Sequence, residues 1–150
     1  MHSLRVVGLA AIWILFFCGP AFADQLAEMI KQSFVPATFK DSALADEARV
    51  FVTAADHRSM LIGKAQIVEF MDKAKAAGVE NEVSKYQEIN RASVGGYTTI
   101  LYLIEIHQKF KGEEKSLEYT CSDIWQDGTP APKLLFGTSE ERVLRQPISQ

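Results

Sequence analysis

The spacing of the apolar residues changes after Gly78, and this change constrains the fold more than any other feature of the chain. Between Gly63 and Gly78, apolar side chains recur at intervals of three and four residues, which is typical of an amphipathic helix. Beyond Gly78 they alternate with polar side chains, as in β-strands that have one face buried. Helices followed by a run of strands predict an α+β domain with a largely antiparallel sheet.

The individual elements follow from the same pattern and from the turn residues between them. Asp24 is predicted to cap a helix that ends before Pro36. A hairpin is predicted from Arg49–Thr53 and Met60–Ile62. The amphipathic helix between Gly63 and Gly78, which has the clearest helical pattern of the chain, follows this hairpin. The later strands are predicted at Val83–Val94, Tyr97–Phe110, Leu117–Gln126 and Leu134–Thr138. We therefore expect a curved sheet of about four to six strands packed against two or three helices, formed by residues 24–140. Residues 141–150 are expected to be a polar C-terminal tail.

Residues 1–23 have the composition of a secretory signal peptide. Arg5 leads into the apolar run Val6–Cys18, and Ala21 and Ala23 form an A-x-A cleavage site. The run is shorter than the roughly 20 apolar residues that span a bilayer. We expect cleavage between Ala23 and Asp24, export to the periplasm or the medium, and no membrane association after the leader is removed.

Charge and cysteine content exclude several classes of function. The chain has 16 basic and 19 acidic residues, and its basic residues do not cluster as a nucleic-acid-binding face requires. After removal of the leader, Cys121 is the only thiol, so no intramolecular disulfide is expected. The sequence has no H-x-H or C-x-x-C spacing, phosphate-binding loop or dinucleotide fingerprint, and we expect neither a metal nor another cofactor.

Two local segments and the order of the elements resemble a known superfamily. In Met60–Ile67 a strand leads through a glycine into a helix, and in Asp123–Gly128 a strand ends in Trp and an Asp-Gly turn. With these features the chain resembles the nuclear transport factor 2-like superfamily, which includes SnoaL-like and ketosteroid-isomerase-like proteins. Members usually carry a second Trp after this turn, where this chain has Pro130, Pro132 and Leu134. The resemblance implies a cone-shaped half-barrel with an apolar pocket, a fold that serves enzymes, binding proteins and assembly modules alike.

Asp123 is the residue most suited to chemistry. Alternation along its strand places it on the core face, where desolvation would raise its pKa and suit the carboxyl group to proton transfer. The alternative is that Asp123 lies at the strand end and contacts solvent or a backbone amide of the turn. A position deep in a cavity would favour catalysis, and a solvated strand end would favour binding.

The remaining candidate residues are aromatic or contain a thiol. The ligand pocket is predicted to be lined by Tyr86, Tyr102, Tyr119, Cys121 and Trp125, although the tyrosines could equally be core aromatics. Cys121 has no cationic neighbour in sequence that would activate it, so a small buried side chain is the better interpretation.

The strand Tyr97–Phe110 is apolar on both faces, which indicates that its outer face is also covered. The resemblance implies that this outer face forms a homodimer, and we therefore predict that Leu101 and Leu103 lie at the interface. Glu105 and His107 lie two residues apart there and could form a pair, either as a base with its orienting carboxylate or as a solvated pair beside the interface.

Two functional hypotheses follow from these residues. The first is a non-catalytic, homodimeric exported domain whose cone binds a small apolar or amphipathic molecule or serves in assembly. The alternative is a cofactor-free isomerase, cyclase or hydrolase that uses Asp123 as general base with Tyr102 or Tyr119 as hydrogen-bond donors. An accessory subunit of a secreted complex is a third hypothesis.

Overall fold

A computed structural model describes residues 19–54 and 56–144. The predicted leader therefore lies mostly outside the described residues, and its predicted cleavage position lies within the first helix. The helices are α1 (Gly19–Ser33) and α2 (Lys64–Ala76), with a short 3₁₀ turn at Asp41–Ala43. The strands are β1 (Leu44–Thr53), β2 (Arg58–Ile62), β3 (Glu80–Val94), β4 (Tyr97–Phe110), β5 (Glu113–Gln126) and β6 (Lys133–Leu144).

The strands form one curved, unclosed six-stranded sheet in the order β2-β1-β6-β5-β4-β3. Strands β3 to β6 are antiparallel neighbours in chain order, and β1 and β2 form the predicted hairpin. The hairpin joins the meander through β1 and β6, which run parallel. With its two helices this is the α+β architecture that the order of the elements predicted, and it has the cone-like shape that the resemblance implied.

The core lies between the concave face of the sheet and α1. Strand β4 has the bounds predicted for it, and its alternation is complete: Ile100, Tyr102, Ile104 and Ile106 are buried and face the helix. From α1, Leu26 and Ile30 are fully buried and pack in the same cluster. The concave face is thus sealed by α1 at one end of the sheet.

Helix α2 covers less of the sheet than its pattern predicted. Ile67 is buried, but Phe70, which belongs to the same apolar side of the helical pattern, is 46% exposed. The physical reason is that α2 packs on β1 and β2 at the edge of the sheet, so Phe70 projects over the open side of the concave face.

Several predicted boundaries were wrong. Helix α1 begins at Gly19 rather than at Asp24, and β1 begins at Leu44 rather than at Arg49. Strand β6 continues past the predicted end at Thr138 to Leu144. Residues from 141 onward were predicted to be a polar tail, but β6 pairs with β5 over its whole length. The polar residues of this strand are stabilised by partners on β5, and a single sequence does not show which residues pair across strands.

Candidate functional site

A cavity of about 400 Å³ opens between the concave face of the sheet and the two helices. This volume lies in the range of small-molecule binding sites. Most of its wall is apolar and comes from α2, from the segment between α1 and β1, and from the sheet, including Phe34, Phe39, Leu44, Val50, Val52, Leu61, Ile67, Met71, Ile106 and Leu134. Polar side chains also line the cavity, and about half of them lie on β5 and β6.

Asp123 lies in the wall of this cavity and is only 6% exposed. The hydroxyl group of Tyr102, from the neighbouring strand β4, donates a hydrogen bond of 2.8 Å to its Oδ2. Burial raises the pKa of Asp123 to about 7, and the hydrogen bond from Tyr102 partly opposes this rise. The Trp125 indole also lowers this pKa, although no hydrogen bond of good geometry joins its Nε1 to the carboxyl group. Asp123 can therefore gain or lose a proton near neutral pH.

Gly137 makes room for this carboxyl group. It lies opposite Asp123 in the β5–β6 ladder, and a Cβ atom at this position would lie 3.0 Å from Asp123 Oδ1. That approach is closer than ordinary van der Waals contact, so any side chain here would displace the carboxyl group. The glycine is required by the buried acid rather than by a turn.

A second carboxylate, Glu141, lines the same cavity and was missed by the sequence analysis. The Tyr119 hydroxyl group donates a hydrogen bond of 2.6 Å to Glu141 Oε2, and the two residues are opposite each other in the β5–β6 ladder. Glu141 was missed because residues from 141 onward were predicted to be a tail. The available signal was the alternation Gly137, Ser139, Glu141, which continues one face of β6 beyond Thr138.

Phe34 connects the two tyrosine–carboxylate pairs. Its ring centroid lies 5.5 Å from that of Tyr119, and it meets the Tyr102 ring edge to face at 6.4 Å. All three rings line the cavity. The two acids are therefore accompanied by an aromatic wall.

Tyr102, Tyr119, Cys121 and Asp123 all line this cavity, whereas two other predicted pocket residues lie elsewhere. Tyr86 packs against the side of Tyr102 with a centroid distance of 5.5 Å, and Trp125 is buried in the core, because α1 closes that end of the sheet. Among the residues described, neither the Tyr86 hydroxyl group nor the Trp125 indole nitrogen has a hydrogen-bond partner.

Cys121 is buried beside these groups, and its burial raises the pKa of its thiol. The nearby Asp123 raises this pKa further. A thiol that resists ionisation is a poor nucleophile, which agrees with the interpretation of Cys121 as a small buried side chain.

Glu105 and His107 do not form the predicted pair. Glu105 binds Lys85 at 3.0 Å, and His107 Nε2 lies 3.2 Å from Glu114. The two side chains are directed to different neighbouring strands, which a spacing of two along one strand does not reveal.

Within residues 19–54 and 56–144, no three His, Cys, Asp or Glu side chains are arranged to hold a metal ion. In the same part of the chain no helix has the length and apolar character to cross a bilayer.

Comparison with known proteins gives structural matches only. No family model and no curated protein matches the sequence. The structure is similar to a ketosteroid isomerase-like protein from Erwinia carotovora atroseptica, with a TM-score of 0.60, 11% identity and coverage of 87% of this chain and 93% of that one. It is also similar to an NTF2-like protein with a cystatin-like fold from Novosphingobium aromaticivorans, with a TM-score of 0.56, 10% identity and 85% coverage of both chains.

A third similar structure is a putative calcium/calmodulin dependent protein kinase II association domain from Xanthomonas campestris. Its TM-score is 0.56 at 9% identity, with coverage of 81% of this chain and 84% of that one. Such identities carry information on the fold alone, and the three proteins differ in what their names describe. The chain has the nuclear transport factor 2-like, cystatin-like fold that its sequence resembles.

Proposed function

We propose that this protein binds a small, mostly apolar molecule in the cavity and holds the polar part of that molecule against Asp123. The observation that carries the proposal is a buried, hydrogen-bonded acid in the wall of a mostly apolar space of about 400 Å³. Protein interiors are normally packed with side chains, so a space of this size is the usual feature of a binding site.

Native mass spectrometry of the protein purified from its own host tests this proposal. We expect a retained small molecule in the wild type and in Ser139→Ala, and none in Ser139→Phe, whose ring would occupy the cavity. The two variants change the same position, which makes the smaller one a matched control. A molecule retained equally by Ser139→Phe, or no molecule in any of the three proteins, would contradict the proposal.

Proton transfer by Asp123 is a second candidate function, and the burial of this acid favours it over binding alone. A general base is most effective when its pKa lies near the working pH, and the pKa of Asp123 is about 7. In this function Asp123 removes a proton from carbon or water as part of a cofactor-free isomerase, cyclase or hydrolase. Tyr102 orients the carboxyl group, and the hydroxyl group of Tyr119, farther along β5, is engaged with Glu141.

Deuterium exchange separates the two candidates. The molecule retained by the protein is incubated with it in D₂O, and its mass is followed with time. Exchange of a carbon-bound proton that requires Asp123 and is lost in Asp123→Asn supports catalysis. A ligand that both proteins bind without exchange or conversion supports binding alone.

We further propose a homodimer through the outer face of the sheet. Leu101 and Leu103 are half-buried there, and a hollow lined by Leu101, Phe51 and Phe136 lies on the same face. Sedimentation analysis should give a dimer for the wild type and a monomer for Leu103→Glu. A monomeric wild type would exclude the dimer.

Export after cleavage of the leader is also a proposal, based on residues 1–23. The mass of the protein recovered from the host tests it, because cleavage would leave Asp24 as the first residue.

A further inference from the structure

Three hydrogen-bond donors in the cavity wall are already used. The Tyr102 hydroxyl group donates to Asp123, and the Tyr119 hydroxyl group donates to Glu141. Asn81 in the same wall donates its side-chain amide to the Phe34 carbonyl oxygen at 2.8 Å. A carboxylate can accept about four hydrogen bonds. Within the described residues one such bond is found at each of these two acids, so both acids keep acceptor positions that a ligand can use.

Acidic side chains outnumber lysine and arginine in the described part of the cavity wall. Its acidic residues are Asp56, Asp123 and Glu141. Among the described lining residues Lys115 is the one lysine or arginine, and it is exposed. Asp56 is exposed as well, and the hydrogen bond with His57 lowers the pKa of Asp56. Above about pH 7, where Asp123 is ionised, an anionic ligand would meet two carboxylates inside the cavity, where repulsion is stronger than in water.

The aromatic wall favours a cation independently of the acids. Phe34 packs against Tyr119, whose hydroxyl group holds Glu141, so ring surface and carboxylate lie side by side. A cation over an aromatic ring is attracted by the negative face of the ring, and the attraction grows when water is excluded.

We propose that the ligand is an organic amine: its protonated ammonium group binds Glu141 beside Phe34 and Tyr119, and its apolar body fills the cavity. This inference deepens the proposed function and rests on it. Asp123 lies four residues from Tyr119 along β5, a distance of roughly 13 Å at about 3.3 Å per residue. One ammonium group therefore does not bridge the two acids, and Asp123 is left for a second donor at the far end of the ligand.

Three probes that share one skeleton and differ in their polar end test the inference by titration calorimetry at about pH 8. They are 4-phenylbutylamine, 4-phenylbutan-1-ol and 4-phenylbutanoate. We expect the amine to bind about tenfold more tightly than the alcohol, since hydrogen bonds to charged partners are about twice as strong as neutral ones. The carboxylate should bind most weakly.

A pair of neighbouring glutamates provides the matched variants. Glu141→Gln should weaken binding of the amine about tenfold and change binding of the alcohol less than about threefold. Glu140→Gln should alter neither, because Glu140 is exposed and lies on the other face of β6. Both variants remove one negative charge, so the pair separates a contact from a long-range effect.

Each outcome decides between specific statements. If the alcohol or the carboxylate binds as tightly as the amine or more tightly, the proposal that the ligand is an amine is overturned. The proposal that the cavity binds a small molecule is then unaffected. If Glu140→Gln loses the preference for the amine over the alcohol to the same extent as Glu141→Gln, the assignment of the ammonium contact to Glu141 is overturned. Absence of binding by all three probes, together with absence of a retained molecule from the host, overturns the proposed function itself. If Glu141→Gln does not fold, the ratio of amine to alcohol affinity in the wild type still decides the ligand class.

Discussion

Replacing Asp123 by Asn should change how the stability of the protein depends on pH. In the folded protein burial raises the pKa of Asp123 to about 7, whereas its ordinary value is 3.8. Between these two values the folded protein keeps the proton and the unfolded chain releases it. The free energy of unfolding therefore falls as the pH rises through this window. Asn never ionises, so the variant lacks this contribution.

The magnitude follows from the distance between the two pKa values. A difference of about three pH units corresponds to about 4 kcal/mol, because each unit is worth 1.36 kcal/mol. Asp123 is buried, so this value is not reduced by solvent screening. Asn is nearly the same size as Asp, and its carbonyl oxygen can still accept the hydrogen bond from Tyr102.

The assay is denaturation by urea at a series of pH values from about 4 to about 8, with wild type and Asp123→Asn measured in parallel. Subtracting the two curves removes the contributions of all other titrating groups that the substitution does not affect. We expect the stability of the wild type relative to the variant to fall by about 4 kcal/mol across the series. The steepest loss should lie below about pH 7.

A difference between the two proteins that does not change with pH would refute the reasoning, since it would mean that Asp123 has the same pKa folded and unfolded. A difference that grows in favour of the wild type as the pH rises would show that the ionised form is stabilised. In that case Asp123 is held as a carboxylate, and the proton-transfer candidate loses its main support.

Three further changes test the surroundings of the acid. Gly137→Ala should destabilise the protein by about 1–3 kcal/mol in urea denaturation, because its Cβ would lie 3.0 Å from the Asp123 carboxyl group; unchanged stability would contradict this. Tyr102→Phe removes a hydrogen bond that lowers the pKa of Asp123, so the midpoint of the pH dependence should move upward, and a downward shift would exclude that role. Cys121 should react with a thiol reagent only when the protein unfolds, because burial raises its pKa; fast reaction of the native protein without Cys18 would contradict this.

The local pattern predicted those parts of the fold that depend on neighbouring residues along one strand or helix. Strand β4 has the bounds that alternation predicted for it, and Tyr102 faces inward as expected. The same alternation placed Asp123, Cys121 and Tyr119 on the core face of β5, and all three line the cavity. These are consequences of a side-chain period of two, which a sequence shows directly.

Pairs and boundaries that depend on distant residues were not predictable in this way. Glu105 and His107 bind other partners on adjacent strands, and Glu141 was assigned to a tail. A polar residue can remain in a strand when a cross-strand partner forms a hydrogen bond with it, as Tyr119 does by donating to Glu141. That partner lies far away in sequence and is defined only by the register of the sheet.

The sequence by itself determined the α+β class, the antiparallel meander and the assignment of Asp123 to the core face of its strand, because each follows from the period of apolar residues within one segment. Whether Asp123 is buried or lies at a solvated strand end was left open. Only the tertiary structure decided that β1 joins β6 in parallel, that Gly137 faces Asp123, and that α2 leaves the cavity open beside Phe70. Those features depend on which surfaces meet after the chain has folded. These tertiary contacts give the site its chemical character, which is two acids, each hydrogen-bonded to a tyrosine, in a mostly apolar cavity.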